Sequence, residues 1–496
     1  MHASPDADPA TWLAELAQRH PDRPLLRTPD RQQYSYGAMD RLVERIAAAL
    51  AQRAVAPGDR VVAQVEKCPE AVALYLACLR SGAVFVPLNT AYTTAEIDYF
   101  LGDAEPKVAV GVAKRGIALG ELAPTLPSPA MQGREGQWAG TDLAALLYTS
   151  GTTGRSKGAM LTRANLATNA VALAQAWRFT ASDVLLHALP IFHVHGLFVA
   201  INTVLASGSS MLFLPKFDAE EVVRLLPEAT VMMGVPTFYT RLLQHPAFTR
   251  ERTANIRVFV SGSAPLLAET HRQFQARTGH AILERYGMSE TLMNTSNPYD
   301  GERVPGSVGP ALPGVEVRIA DPQTGTPLPA VGAVGMIEVR GPNVFRGYWR
   351  MPEKTAAEFR KDGYFITGDV GRLDSRGYLF IVGRAKDLII SGGYNVYPVE
   401  VETELDALAG VAESAVIGVP HPDFGEGVTA VVVPRPGAAL DEALLRTALE
   451  QRLAKYKLPK RIVFVSEMPR NAMGKVQKAA LRDAYRGLYN SANSGN

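Results

Sequence analysis

Residues able to handle a polyphosphate crowd one stretch of the chain, Tyr148 to Gly158 (YTSGTTGRSKG). Three glycines let successive backbone N–H groups converge on an anion, five hydroxyls add donors, and Lys157 supplies charge. The stretch is not a Walker A loop: counting from Gly151, the second required glycine falls on Ser156. A flexible Gly/Ser/Thr turn is the plain alternative, but such density directly after a buried strand favours phosphate binding. Four more clusters are weaker taken singly. In ERYGMSET (284–291) Tyr286 beside Gly287 could stack a nucleobase, and Glu290 could hold Mg²⁺ beside phosphates. In GYFITGD (363–369) Asp369 follows a Thr-Gly turn and could accept ribose hydroxyls, although an Asx turn fits equally well. In GRAKD and SGGYNVYPVE (383–400) two glycines before an aromatic run could let backbone approach a narrow ligand, or simply form a hairpin turn. Lys475 in PRNAMGK reads alone as a solvated surface charge. His187, His193 and His195 read as polar rings in an apolar turn, since a zinc site lacks further ligands nearby.

These residues need elements to position them. Short β-branched runs alternate with helical segments, which argues an α/β fold. Arg60 to Val65 reads as a strand, Pro69 to Ser81 as the helix after it, and Val84 to Leu88 as a further strand. Ala145 to Thr149 and Val258 to Gly262 read as short buried strands running into Gly-containing loops. From about residue 314 to 385 strands separated by Gly, Pro and Asp predict a small β-rich subdomain. Beyond it, 396–408 and 441–454 read as helices, with 413–420 and 427–436 as strands of a compact α+β module. The stretch 120–140 reads as a surface loop and the last six residues as a frayed tail.

The 496 residues are enough for two or three domains with sizeable cores. An apolar fraction of 47% and a charged fraction of 20% exclude disorder, collagen and coiled coil. A net charge of +2 gives no electrostatic case for a nucleic-acid or membrane partner. Cys68 and Cys78 form neither a disulfide framework nor a CxxC metal pair, which suits a reducing, cytoplasmic setting. The N-terminal residues have no apolar h-region, so neither a secretory signal nor a transit peptide is expected. The long uncharged stretch Leu185 to Leu214 is broken by Pro190, histidines, Asn202 and Gly208, and reads as a buried helix followed by a strand, with no membrane insertion.

In chain order the motifs TSGTTGRSKG, HALPIFHVHG, GVPTFYTRL, SGSAPL, RYGMSET, TGD, GRAKDLIISGGYNVYP and PRNAMGK resemble the adenylate-forming superfamily of acyl-CoA synthetases, nonribosomal adenylation domains and luciferases. The likeness covers nearly the whole chain. It implies a large N-terminal domain (1–385) of α/β sheets with a small β-barrel-like subdomain, and a small mobile α+β C-terminal domain (386–490). The implied chemistry is a two-step ligation. A carboxylate attacks the ATP α-phosphate, releasing pyrophosphate, and a thiol then expels AMP from the acyl-adenylate after the C-terminal domain has rotated.

By motif position, the resemblance implies that Thr149, Ser150, Gly151, Thr152, Thr153, Gly154, Arg155, Ser156 and Lys157 hold the β- and γ-phosphates. Ser263, Ala264, Pro265 and Tyr286 would flank adenine, with Glu284, Gly287, Met288 and Ser289 in the same nucleotide motif. Asp369 and Arg384 would hold ribose, Thr152 and Glu290 would orient Mg²⁺, and Lys386 would be the hinge. Lys475 would bridge carboxylate and α-phosphate oxygens, acting with Thr152, Glu290 and His193 in catalysis, and would be a target for acetylation. Ser289 stands where Thr is commoner, but keeps the hydroxyl.

Ser391, Gly392, Gly393 and Tyr394 are similar to the branch of the family that uses free CoA, whose paired glycines line the pantetheine tunnel. Arg285, immediately before Tyr286, would place a guanidinium in the acyl pocket, where it can bind a second carboxylate bidentately. His193, Ser261 and Ser263 would add donors there. The surrounding sequence is similar to malonyl-CoA synthetases, which implies ATP, CoA and malonate as substrates, with methylmalonate a further candidate. The alternatives are an outward Arg285 paired with Glu284 in a short-chain or aryl acyl-CoA synthetase, a carrier-loading adenylation enzyme, or a catalytically dead nucleotide-binding protein.

Overall fold

The computed structural model describes residues 4–112, 116–122, 138–149, 156–471 and 474–489. Ser150, Gly151, Thr152, Thr153, Gly154 and Arg155 of the expected phosphate loop lie outside the described residues.

Two mostly parallel sheets form the bulk of the chain. One has eight strands, in the order Leu292–Ser296, Leu283–Met288, Val258–Ser261, Val231–Gly234, Val184–His187, Ser210–Phe213, Pro24–Arg27 and Gln33–Ser35. Its pairs are parallel except the outermost at each edge. The second has five strands, in the order Val108–Val110, Arg60–Ala63, Val84–Pro87, Leu143–Thr149 and Lys157–Thr162. Short runs such as VFVS and VMMG are buried at every position, as strands covered on both faces must be. Between the sheets lies the helix Pro69–Ser81, which carries Pro at its start and ends on Gly82 in the left-handed region. A Cβ at Gly82 would come within 2.4 Å of the Trp138 ring, so glycine serves both the turn and the packing there.

The uncharged stretch expected as helix then strand begins with the strand Val184–His187. It continues through a seven-residue π-helix, His195–Ile201, into the α-helix Asn202–Ser207 and the strand Ser210–Phe213. The β-rich subdomain is an open antiparallel sheet of Glu316–Ala320, Gly335–Arg340, Phe365–Leu373 and Leu379–Arg384. Residues 307–309 hydrogen-bond the backbone of Leu379 at its edge. The last module packs the helices Pro398–Asp406 and Glu442–Glu450 on a five-stranded sheet built around the long hairpin Val411–His421 and Gly425–Pro434. Among the described residues no helix is long and apolar enough to cross a membrane.

Candidate active site

In open α/β sheets ligands bind beyond the carboxyl ends of the strands. Ser261 ends the strand Val258–Ser261 and pairs in register with Glu284 of the neighbouring strand Leu283–Met288. Side chains alternate along that second strand, so Glu284 and Tyr286 leave one face and Arg285 the other. Arg285 is 3% exposed, and its Nε and Nη2 have no hydrogen-bond partner. Burial lowers its pKa to about 9. No salt bridge to Glu284 exists among the described residues; Glu284 instead accepts from the Leu266 N–H at 3.1 Å. The outward, paired reading of Arg285 is therefore not what the fold builds.

Around the guanidinium stand further donors. Ser261 Oγ and His195 Nε2 are buried without partners, while His195 Nδ1 lies 3.2 Å from Ser263 Oγ. The His195 N–H donates to His193 Nδ1 at 3.2 Å. Burial first, and Arg285 second, lower the pKa of both imidazoles, that of His193 to about 4. Neutral rings thus lie beside a buried guanidinium that has no carboxylate partner among the described residues. Ser263 holds φ of 73°, a strained left-handed conformation that directs the turn. A Cβ at Gly262 would stand 2.4 Å from the Arg285 guanidinium, so this glycine makes the room in which the arginine lies.

The other face of the same strand carries a second cluster. Tyr286 donates to Asp369 Oδ2 at 2.5 Å, and Arg384 Nε lies 2.7 Å from Asp369 Oδ1. Asp369 and Arg384 are direct cross-strand partners, which fixes their pairing through sheet register. Gly287 is required where the hairpin closes, since a Cβ there would sit 1.8 Å from the Leu292 carbonyl oxygen. Past that turn Glu290 is 6% exposed and accepts from the Tyr348 hydroxyl at 3.1 Å. Tyr348 also bonds Glu358 Oε2 at 2.7 Å, and Lys157 reaches Glu358 at 3.4 Å and the Tyr348 ring at 4.3 Å. Burial raises the Glu290 pKa, and the carboxylate has no salt-bridge partner among the described residues. Its chemistry suits a hard cation with oxygen ligands.

The turn bearing Lys475 comes from the last module. Arg470 donates to the Gly474 carbonyl at 2.6 Å and pairs with Glu413, while the Lys475 N–H donates to Asn471 Oδ1 at 3.0 Å. Gly474, at φ of 74°, lies so close to Thr237 that a Cβ would come within 2.8 Å of its Oγ1. The turn is thus docked against the helix Pro236–Gln244. The Lys475 side chain is solvent-accessible, and its ammonium stands in the field of Arg384, Asp369, Asp387 and Lys386. The surrounding protein and Arg384 lower its pKa. Lys386 lies in the exposed turn Ala385–Asp387 between the modules.

The structure therefore gathers Arg285, His193, Ser261 and Ser263 on one side, and Tyr286, Asp369, Arg384, Glu290, Lys157 and Lys475 on the other. Glu284 is not with the nucleotide residues but supports the turn 263–266. Ala264, Met288 and Ser289 are half-buried near that turn and strand, and Pro265 is exposed. Thr149 and Ser156 flank the undescribed loop; the Ser156 carbonyl accepts from Tyr99. Ser391, Gly392, Gly393 and Tyr394 form a two-residue hairpin with both glycines at positive φ, where Tyr394 stacks on Tyr456 at 4.9 Å. Its partners here lie within the last module. Sequence reasoning missed Tyr348 and Glu358, which belong to no motif it read, and gave Gly262 of the SGSAPL motif no role.

Residues 13–349 match the AMP-binding enzyme family and residues 400–475 the AMP-binding enzyme C-terminal domain. The chain is 39% identical over 452 residues to the mitochondrial malonate–CoA ligase of Mus musculus, covering 81% of this chain and 77% of that one. It is 36% identical over 462 residues to a feruloyl-CoA synthase of an Amycolatopsis species, covering 90% and 93%. The ATP-bound structure of MatB from Rhodopseudomonas palustris superposes with a TM-score of 0.93 at 55% identity, covering 97% of this chain and all of that one. The apo structure of the same protein, at the same identity and coverage, gives 0.82. The family model spans more than half of the chain and its relatives align over most of it: the chain belongs to the AMP-binding enzyme family.

Proposed function

We propose that the chain ligates malonate to coenzyme A with ATP, through a malonyl-adenylate, giving malonyl-CoA, AMP and pyrophosphate. One observation carries the choice of acid: a buried guanidinium with two unpartnered nitrogens, beside neutral donors and lacking a carboxylate partner among the described residues. An unpaired buried charge is costly in proportion to its desolvation. A dicarboxylate repairs that deficit, binding one carboxylate at Arg285 and presenting the other to ATP. A monocarboxylate, feruloyl groups included, leaves it unrepaired.

In the first half-reaction a malonate oxygen attacks the α-phosphorus and the bond to pyrophosphate breaks. Negative charge spreads over the oxygens, so positioning and charge stabilisation do most of the work. Tyr286, with Ser263 and Pro265, is suited to flank adenine, and Asp369 with Arg384 to hold ribose hydroxyls. Lys475 donates to the reacting oxygens from the docked turn, and Glu290 would hold Mg²⁺, which supplies charge neutralisation on the phosphates when bound. The higher TM-score against the ATP-bound structure supports reading this arrangement as the adenylating one. In the second half-reaction the CoA sulfur, having lost its proton, attacks the acyl carbon and the bond to AMP breaks. Rotation about Lys386 would withdraw Lys475 and bring the Ser391–Tyr394 hairpin to the tunnel. The accessible Lys475 could also take an acetyl group, and the unpaired Cys68 and Cys78 suit the cytoplasm.

AMP release with malonate, acetate and methylmalonate, on wild type and Arg285→Ala, tests the reading. Losing one partner of such a charge pair costs roughly 2–5 kcal/mol, so the variant loses malonate preference by about thirty- to several-thousand-fold. Methylmalonate, one methyl larger, is discriminated by only about ten- to two-hundred-fold. If wild type prefers acetate, malonate is the wrong acid and the family assignment alone remains.

A further inference from the structure

Lys67 lies in the loop between the strand Arg60–Ala63 and the helix Pro69–Ser81, and reaches across to the eight-stranded sheet. Its Nζ donates to His187 Nδ1 at 2.8 Å and to the His187 carbonyl at 2.9 Å, and lies 4.4 Å from the centre of the Phe213 ring. It makes no salt bridge among the described residues. His187 is fully buried at the end of the strand Val184–His187, and its Nε2 lies 2.8 Å from the Gly196 carbonyl oxygen. A carbonyl only accepts and an ammonium only donates, so the ring must carry its proton on Nε2 and its lone pair on Nδ1.

Gly196 belongs to the turn that supplies the acid pocket. It follows His195 directly, opens the π-helix His195–Ile201, and packs so tightly that a Cβ would stand 2.1 Å from the Pro190 carbonyl oxygen. A π-helical segment is a strained arrangement that recurs at functional sites. Here the His187 ring contacts the segment's second residue, Gly196, from outside. The ammonium is half-buried and has no carboxylate partner among the described residues, so ion pairing does not explain this lysine, whereas its two contacts to His187 do.

We propose that Lys67 is a positioning residue for the acid pocket: by clamping both the ring and the carbonyl of His187, it fixes His187 as the donor to Gly196 and thereby sets the turn carrying His193 and His195. Burial and the neighbouring ammonium, which push the His187 pKa well below its ordinary value, favour the same neutral ring. Lys67 touches neither acid nor nucleotide; it acts through two intermediaries.

This inference rests on the acid-pocket reading above, and the experiment separates the two. Lys67→Met, which keeps the length of the stem, and His187→Gln are compared singly and together for AMP release, varying acid and ATP separately. The acid is whichever one wild type turns over best, so rejection of malonate would sink the substrate proposal and leave this one standing. The expected result is a KM for the acid raised about tenfold, as for misplaced binding groups, with the KM for ATP within about twofold. The double variant should be no worse than the single ones, because both break one chain of contacts. Additive losses, or KM values for acid and ATP that rise together, would overturn the proposal. Should Lys67→Met fail to fold, ¹⁵N–¹H correlation spectra of histidine-labelled wild type decide: an Nε2-protonated His187 supports the chain, and an Nδ1-protonated one refutes it.

Discussion

Asp369 is met by Arg384 at 2.7 Å and by the Tyr286 hydroxyl at 2.5 Å, whereas Arg285, the residue before that tyrosine, meets no carboxylate among the described residues. One strand, Leu283–Met288, divides two electrostatic plans. On the nucleotide side, Asp369 with Arg384 and Glu358 with Lys157 are compensated before any ligand arrives, which leaves Glu290 for a cation, and Lys475 is carried in on another module. On the acid side, donors are buried and left without acceptors. The first plan makes a stable platform whose last component can come and go. The second stores a deficit that only a ligand of the right charge relieves, which is how a pocket discriminates strongly among small acids.

The comparison breaks most severely at Lys475. Removing one preplaced donor from such a site typically lowers the rate about a hundred- to a thousand-fold. Lys475→Ala should show that loss in acid-dependent ATP–pyrophosphate exchange, while thioester formation from supplied malonyl-adenylate survives and the preference among acids is unchanged. Equal loss in both half-reactions would mean that Lys475 does not act in adenylation alone. A smaller and opposite change sharpens the acid side. In Gly262→Ala the new Cβ would stand 2.4 Å from the Arg285 guanidinium, the far end of a long side chain, which must swing away. Malonate kcat/KM should fall about tenfold, equivalent to roughly 1.4 kcal/mol, with the KM for ATP unmoved. A shift in both constants would show that the two sides are not independent.

Much of this was written locally. The helix Pro69–Ser81 appears residue for residue where Pro and Gly82 bracket it, and the strands at Arg60, Val84 and Val258 end within two residues of the expected places because Gly and Pro punctuate them. The motifs around Tyr286, Asp369 and Lys475 named a nucleotide site because each carries its chemistry within a few residues. Tyr348 and Glu358 were illegible for the converse reason: each is an ordinary residue made relevant by a neighbour some 60 positions away in Glu290, or 200 in Lys157. Lys67 read as nothing, since a lone lysine is solvated unless the fold brings it partners, here the ring and carbonyl of His187. The π-helix was hidden because one extra residue per turn leaves an apolar run looking like any buried helix.

Glu284 stands between the two plans, and pH reads its state. It is buried, its Oε2 has no partner, and burial pushes its pKa up to about 8 from an ordinary 4.5. A carboxyl whose pKa is raised in the folded state binds more protons folded than unfolded between those two values. Stability is then fully present below about pH 4.5 and declines as pH rises towards 8, because folding must either hold the proton or bury the charge. Glu284→Gln removes the titration while keeping an oxygen for the Leu266 N–H. The variant's Tm relative to wild type should therefore climb from pH 6 to about pH 8 and level off above it, while its acid preference changes by less than about threefold, within the spread of a neutral hydrogen-bond replacement. A Tm difference that is flat with pH would show that the carboxylate is compensated in solution, and uncompensated burial would then be confined to the face of the strand that Arg285 leaves.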